Sequence, residues 1–490
     1  MGHRRRRGLA KGDAGMERAT LAQREHRLPL EDVIQRPSGM WFIVGTVCFG
    51  AFMAALDASI ISIALPKLEQ AFHTTMNRIE WVSLIYLLAL AGCIVAFGRL
   101  SDLIGRRPMY TLGFGVFIVG SALCGASWSL ASLLAFRVLQ GIGASLLQAN
   151  SVSIITAAAD AERRGQAIGF QALAQGLGLS LGPLVGGVLT HIASWRLIFY
   201  INVPVGILGT LSALLFLPRD RREGPRPRFD LVGALVLACL LIVTMYVLKE
   251  GFTPESRPTI TAVLLAVAVL ATALFIFIER KADPALVPIS YLREPLIWMG
   301  NLTSVLSFSV MYAITLVVPY WFVHIEGLSS AKAGLLLTAL PVGMALCTPF
   351  AGRLADRWSK VKVSALGMVL AAIGAAGLFA FTRTTPAFLA GLFLVGCGVG
   401  TFTPANNARV MNATPGPHLG VAGGILNMSR TLGMGVGVTA GGVSVELFTA
   451  AFGAHDVALA YRCSFLVAAA LALIALGLTL LPQGRSQAGK

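Results

Sequence analysis

A carboxylate and a guanidinium stand where charge is costly. Asp57 lies in the apolar run that ends LDASIISIALP at Pro66, and Arg137 opens RVLQGIGAS within another. Ionisable groups inside long apolar stretches are rare and mark transport pathways and proton relays. Glu80 and Glu446 fall at the ends of such stretches, where water is expected to reach them. Asp57 precedes the end of its run at Pro66, and Arg137 follows the start of its own. At ~1.5 Å per helical residue, both lie roughly 10–13 Å beneath the same surface. Equal depth permits a direct or water-bridged pair. A proton on Asp57 would free Arg137, and its loss would recapture the cation. Gln140, at i+3 from Arg137, can share the network. The structural alternative is a fixed ion pair.

Other residues suit conformational work. Gly178, Gly182 and Gly186 recur at i+4 within GLGLSLGPLVGG, so one helix face lets a neighbour approach backbone to backbone. Pro183 removes a backbone hydrogen bond there and bends the helix. The face serves either close packing alone or a bend that controls which side opens. GRLSDLIGRR (residues 98–107) reads as a tight loop. In it Gly98 and Gly105 permit the turn, and Asp102 can cap the positive end of a helix starting near Gly420, with Arg106 close by. Asp356 repeats Asp102. Polar residues within apolar runs complete a candidate substrate cavity: Gln171, Gln175, Asn301, Tyr312, Asn427 and Arg430, together with Asp57. Arg430 either lines that cavity or bonds Asn427 at i−3.

These residues need elements to hold them. The chain is 490 residues long, 56% hydrophobic and 13% charged, where a soluble protein carries about 25% charge. Fourteen apolar segments of roughly bilayer length run from about residue 40 to 482. Helices are the form that satisfies the backbone in lipid. The first run starts near Met40 and is too long for a cleaved signal's apolar core. The net charge of +16 raises nucleic acid as a partner. Its placement argues against that: Arg106 and Arg107, Arg163 and Arg164, Arg219 to Arg228, and Arg353 to Lys362 all fall in loops of one side. The positive-inside rule then puts both termini in the cytoplasm and the chain, multi-pass, in the cell (inner) membrane. Trp41, Trp81, Trp128, Trp195 and Trp298 read as interface anchors.

The chain also repeats. Gly98-Arg99-Leu100-Ser101-Asp102 returns as Gly352-Arg353-Leu354-Ala355-Asp356. Gly178, Gly182 and Gly186 return as Gly433, Gly437 and Gly441, and Gly141, Gly143 and Asn150 as Gly398, Gly400 and Asn407. This gives a basic cytoplasmic tail (1–39), a six-helix half (40–217), and a linker with two extra membrane helices (218–295). A second six-helix half (296–482) and a short cytoplasmic tail (483–490) follow. Parallel halves imply a carrier that rocks about a midplane cavity. No Walker loop, metal spacing or Ser-His-Asp set stands out, so an enzyme, a metal site and ATP as energy source are not expected. The cysteines, scattered through apolar runs, read as packing residues.

Together these motifs resemble the major facilitator superfamily, and within it the fourteen-helix drug:proton antiporters. Residues 98–107 resemble the superfamily loop signature, although Leu103 departs from the basic residue common there. Arg137-Val-Leu-Gln140-Gly141 resembles the proton-coupling motif of helix four, and Gly178–Gly187 the antiporter motif. Leu56-Asp57 through Pro66 resembles the helix-one motif of drug exporters. Trp195 through Pro204 and Phe229-Asp230-Leu231-Val232-Gly233 are similar to stretches of the fourteen-helix group. The resemblance implies an all-α, major-facilitator-type fold and no cofactor beyond the proton gradient. It implies export of a hydrophobic or cationic small molecule, by a monomer in a lipid bilayer. The alternative within that fold is a proton-independent facilitator or lipid flippase.

Overall fold

The computed structural model describes residues 39–160, 163–218, 231–251, 258–281, 294–381, 385–414, 419–453 and 456–481. They include fourteen helices long and apolar enough to cross a bilayer. The first six are α1 (Gly39–Ala71), α2 (Met76–Ile104), α3 (Arg106–Gly125), α4 (Leu130–Ala158), α5 (Gln166–Ile192) and α6 (Leu197–Phe216). The next two are α7 (Val232–Glu250) and α8 (Thr259–Lys281). The last six are α9 (Pro295–Ile325), α10 (Ser330–Ala355), α11 (Lys360–Ala380), α12 (Thr385–Ala413), α13 (Val421–Phe452) and α14 (Val457–Leu480). An even number of spans returns the end of α14 to the side where α1 begins. That side is the terminal face, and the opposite one the distal face.

Local chemistry sets the helix ends. Ser129 opens α4 with a capping box: its hydroxyl accepts from the Ser132 N–H while the Ser132 hydroxyl accepts from the Ser129 N–H. Gly105, at φ 119°, separates α2 from α3 and holds a conformation that side chains disfavour. The stretch from Gly98 is therefore not a loop throughout. It is helical to Ile104, and Gly98 lies inside α2 facing open space.

Helix pairing repeats in the two halves. A Cβ on Gly178, Gly182 or Gly186 of α5 would collide with α1 at Phe52, Ser59, Ile60 or Ile63. A Cβ on Gly433, Gly437 or Gly441 of α13 would likewise meet α9 at Val305, Ser309 or Ala313. One hydrogen bond recurs as well: Ser59 Oγ donates to the Gly178 carbonyl at 3.3 Å, and Ser309 Oγ to the Gly433 carbonyl at 3.0 Å. Lipid tails supply no hydrophobic drive between helices, so close backbone approach and such bonds hold the pairs together.

The halves meet at the distal face through two crossings. In one, Gly187 and the Pro183 carbonyl of α5 lie against Ser330 and Gly334 of α10. In the other, Gly442 of α13 lies against the Glu80 carboxylate of α2. α7 packs along α2, with Ala238 against Gly92. The apolar window of α8 has no buried residue, although Phe275 packs on the hydrophobic core and Glu279 near its end is buried. Trp195 departs from the interface-anchor reading: it is buried and packs on Phe72 and Phe199.

Candidate functional site

Five helices of the first half converge on Asp57. Close approach makes this possible: Gly120 of α3 touches the Gln140 backbone of α4, and Gly141 of α4 touches the Tyr86 carbonyl of α2. Asp57, Arg137 and Gln140 are all 0% exposed. Arg137 Nη1 donates to Asp57 Oδ2 at 2.6 Å and to Gln140 Oε1 at 2.7 Å. Gln140 Nε2 donates to Asp57 Oδ1 at 2.8 Å and to Ser121 Oγ at 2.7 Å. Asn202 Nδ2, from α6, donates to Asp57 Oδ1 at 2.9 Å. Arg137 Nε donates to the Val82 carbonyl at 2.9 Å, and the guanidinium lies 4.2 Å from the Tyr86 ring centroid.

The energetics follow from burial. Each charge loses its hydration, and only close pairing with saturating hydrogen bonds offsets that loss. Asp57 accepts from three donors, so its ionised form is matched on both oxygens. A proton on Asp57 would cancel its attraction for Arg137 and leave an uncompensated cation in a dry site.

Asn202, Ser121 and Tyr86 are members that the sequence reading left out. Asn202 carried a signal, as a polar residue in an apolar run within the Trp195–Pro204 stretch. Ser121 and Tyr86 carried none, because which face of α3 or α2 turns inward is a matter of packing.

A cavity of about 410 Å³ lies beside this cluster, between the two halves. It is lined mainly by the terminal-face portions of α2, α5, α10, α12 and α13, with Ala54, Ala55 and Ala58 of α1 as part of its wall and Gln148 of α4 and Phe308 of α9 beside them. Gln175, Asn427 and Arg430 line it. The other cavity candidates do not. Asp57 faces the opposite side of α1, into the charge cluster. Gln171 is buried outside the lining. Asn301 bonds within the second half, to the Ile297 carbonyl and Ser429. Tyr312 is buried against α13 at Gly437. Sequence reading missed Gln148, Thr348, Thr403 and Asn407, which supply further polar lining. Arg430 does both things anticipated for it: it lines the cavity, and its Nη1 reaches Asn427 Oδ1 at 3.5 Å. Among the described residues it is the one ionisable side chain in the lining, and none of them offers the cavity a carboxylate.

A second buried pair corrects the reading of Glu80 as a water-exposed end group. Glu80 is 0% exposed, and Lys249 of α7 donates to its Oε2 at 2.7 Å. The inserted hairpin thus neutralises a carboxylate wedged at the distal crossing of α2 and α13. Water cannot reach Glu80 because Gly442 lets α13 close over it.

At the terminal face, Asp102 Oδ1 lies 3.7 Å from Arg106 Nη2, one turn on, and both side chains are partly exposed. Arg106 donates to the Ser153 carbonyl and Arg107 to the Leu214 carbonyl, within the same half. Gly420 lies in the first turn of the helix that α13 continues, and the Asp356 side chain, its counterpart in the loop latch, lies outside the described residues.

Comparison with known proteins places this geometry in a family. The family model described as Major Facilitator Superfamily matches residues 47–280 and 297–490. The riboflavin transporter RibZ of Clostridioides difficile is 29% identical over 81% of this chain and 86% of its own length. The multidrug resistance protein Stp of Mycobacterium tuberculosis is 30% identical over 79% of this chain and 72% of its own. A bacterial homologue of the human lysosomal transporter Spinster, solved in an inward-facing and occupied conformation, shares the fold. It aligns at a TM-score of 0.65 and 17% identity, over 91% of this chain and 97% of that one.

Proposed function

Since the chain belongs to the major facilitator superfamily and is a multi-pass membrane transporter, we propose that it exports hydrophobic small molecules in exchange for protons. The observation that carries this reading is the Asp57–Arg137 pair, dry, at 2.6 Å, and separated from the cavity only by the alanine face of α1. Resistance and export proteins among the relatives support efflux of a foreign small molecule.

In this reading the terminal face is cytoplasmic, because Arg106, Arg107, Arg353, Arg357 and Lys360 gather there. The conformation described is closed at its distal, external end by the Gly187–Gly334 and Glu80–Gly442 crossings. Substrate enters the cavity from the cytoplasmic half. Opening the distal end hydrates α1, and a proton from outside reaches Asp57. Protonation neutralises Asp57 and lets the carrier turn inward, and loss of that proton to the cytoplasmic side restores the Asp57 contacts with Arg137, Gln140 and Asn202 that hold the distally closed arrangement. Two states with different contacts at one site are what coupling requires.

The test is transport by proteoliposomes under an imposed pH gradient, with riboflavin and a panel of hydrophobic drugs. The wild type should accumulate a substrate only with the gradient. Asp57→Asn should equilibrate substrate without concentrating it. Equal accumulation with and without the gradient would overturn proton coupling and favour a facilitator.

A further inference from the structure

Among the described residues the cavity wall carries a single charge, and it is positive. Arg430 belongs to α13, its side chain is partly buried, and its Nε has no hydrogen-bond partner among the described residues. Its described contacts are a long bond to Asn427 and the Phe308 ring, 5.8 Å from the guanidinium carbon. No carboxylate among the described residues forms an ion pair with it. Asp57, on the helix that forms the alanine wall, is already taken by Arg137 at 2.6 Å.

Around Arg430 the lining alternates two surfaces. Ala54, Ala58, Leu90, Ile94, Leu179 and Met434 offer an apolar wall. Gln148, Gln175, Asn407 and Asn427 offer carboxamides, each able to donate or accept. A partly buried guanidinium without a counter-ion among the described residues attracts anions and repels cations, and its planar fork suits a carboxylate or a similar delocalised oxyanion. The volume of about 410 Å³ suits one drug-sized body.

We infer that the substrates are hydrophobic anions: an apolar body in the alanine and leucine wall, with a carboxylate, enolate or sulfonate against Arg430. This rests on the transporter reading above and sharpens it. It replaces the cationic half of the class that the family resemblance implies. Arg430 becomes the residue that sets specificity. Gln148, Gln175, Asn407 and Asn427 serve as adjustable hydrogen-bonding partners for the rest of the molecule. A charge consequence follows. Expelling a monoanion against an incoming proton moves negative charge out and positive charge in, so an inside-negative potential drives both.

The experiment is equilibrium binding to the purified full chain, which needs no gradient and so stands apart from the coupling test. Three fluorescent probes of one length are compared at neutral pH: dansylaminohexanoic acid, its methyl ester, and the analogue ending in trimethylammonium. The acid should bind at least about tenfold more tightly than the ammonium probe, the scale of one hydrogen bond to a charged group. Arg430→Gln should remove most of that preference while leaving the ester's affinity within about twofold, which also reports that the cavity is intact. Arg430→Lys should retain part of it, since charge remains and the fork is lost. Equal or tighter binding of the ammonium probe to the wild type would overturn the inference. So would undetectable binding of the acid, or an unchanged preference in Arg430→Gln. Failure of a pH gradient to drive transport counts against proton coupling alone and leaves the binding result standing.

Discussion

The two halves of the molecule share a frame and divide the charges between them. α1 on α5 and α9 on α13 use the same glycine spacing and the same serine-to-carbonyl bond. In the register of the glycine contacts Asp57 corresponds to Val310, Arg137 to Leu392 and Gln140 to Val395. The second half thus has no counterpart of the buried cluster. It places its charge in the cavity wall instead: Arg430 corresponds to Gln175, and both line the cavity. The distal crossings show the same division. Gly334 corresponds to Glu80, and Gly187 to Gly442. One crossing is backbone on backbone, and the other holds a carboxylate that Lys249 of the inserted hairpin must neutralise. The packing is repeated between the halves, while the charges are not.

This comparison is most exposed at its charged positions. Asp57→Asn should abolish gradient-driven accumulation in proteoliposomes, whereas Val310→Thr, at the matching place in the second half, should leave it near the wild-type level. Equal losses in both variants would end the distinction between the halves.

The next effect concerns stability. Arg137→Ala leaves Asp57 buried without its counter-ion, which costs about 3–5 kcal/mol. Thermal unfolding in detergent should fall sharply for Arg137→Ala. It should recover in part for the double variant Asp57→Ala with Arg137→Ala, because no orphan charge remains. Additive losses would show that the pair is not coupled.

The shared frame makes the opposite forecast for glycine. Gly182→Val would force α5 off Ser59 and Ile60, and Gly437→Val would force α13 off Ser309 and Tyr312. Overpacking of this kind costs about 1–3 kcal/mol. Both variants should melt lower and fail to sustain a substrate gradient. If only the first is impaired, the glycine faces are not equivalent.

The hairpin pair comes next. Lys249→Met strands Glu80 in a dry crossing and should open the distal face, read as faster labelling of a single cysteine placed there. Adding Glu80→Gln should restore slow labelling, with a coupling of about 0.5–3 kcal/mol for a contacting pair. The smallest effect belongs to Asp102→Asn. Its ion pair with Arg106 is long and partly exposed, so it is worth about 0.2–1 kcal/mol, at most a fivefold change in the ratio of open states. A larger shift in labelling would mean that Asp102 also latches the halves.

Much of this was legible in one dimension. Apolar length marked every span, because lipid demands a helix of bilayer length and tolerates few charges. The glycine series marked the repeat. Depth counting set Asp57 and Arg137 at one level, since rise per residue is constant. Depth says nothing of azimuth, however, and azimuth separated the correct cavity residues from the wrong ones. Asp57 and Ala58 are neighbours in sequence, yet one faces the charge cluster and the other the cavity. Gln171 and Gln175 are one turn apart, and only Gln175 lines the cavity.

The sequence by itself therefore determined what depends on composition and spacing: the membrane environment, the helices, the doubled frame and the costly charges. Only the tertiary structure decided which charges neutralise one another. Asp57 is matched by Arg137, Glu80 is matched by a lysine from an inserted helix, and Arg430 is left facing the cavity. The physical reason is range. Hydropathy acts on each segment where it stands, but desolvated charges pair only at contact, and contact between distant segments is set by how the helices pack.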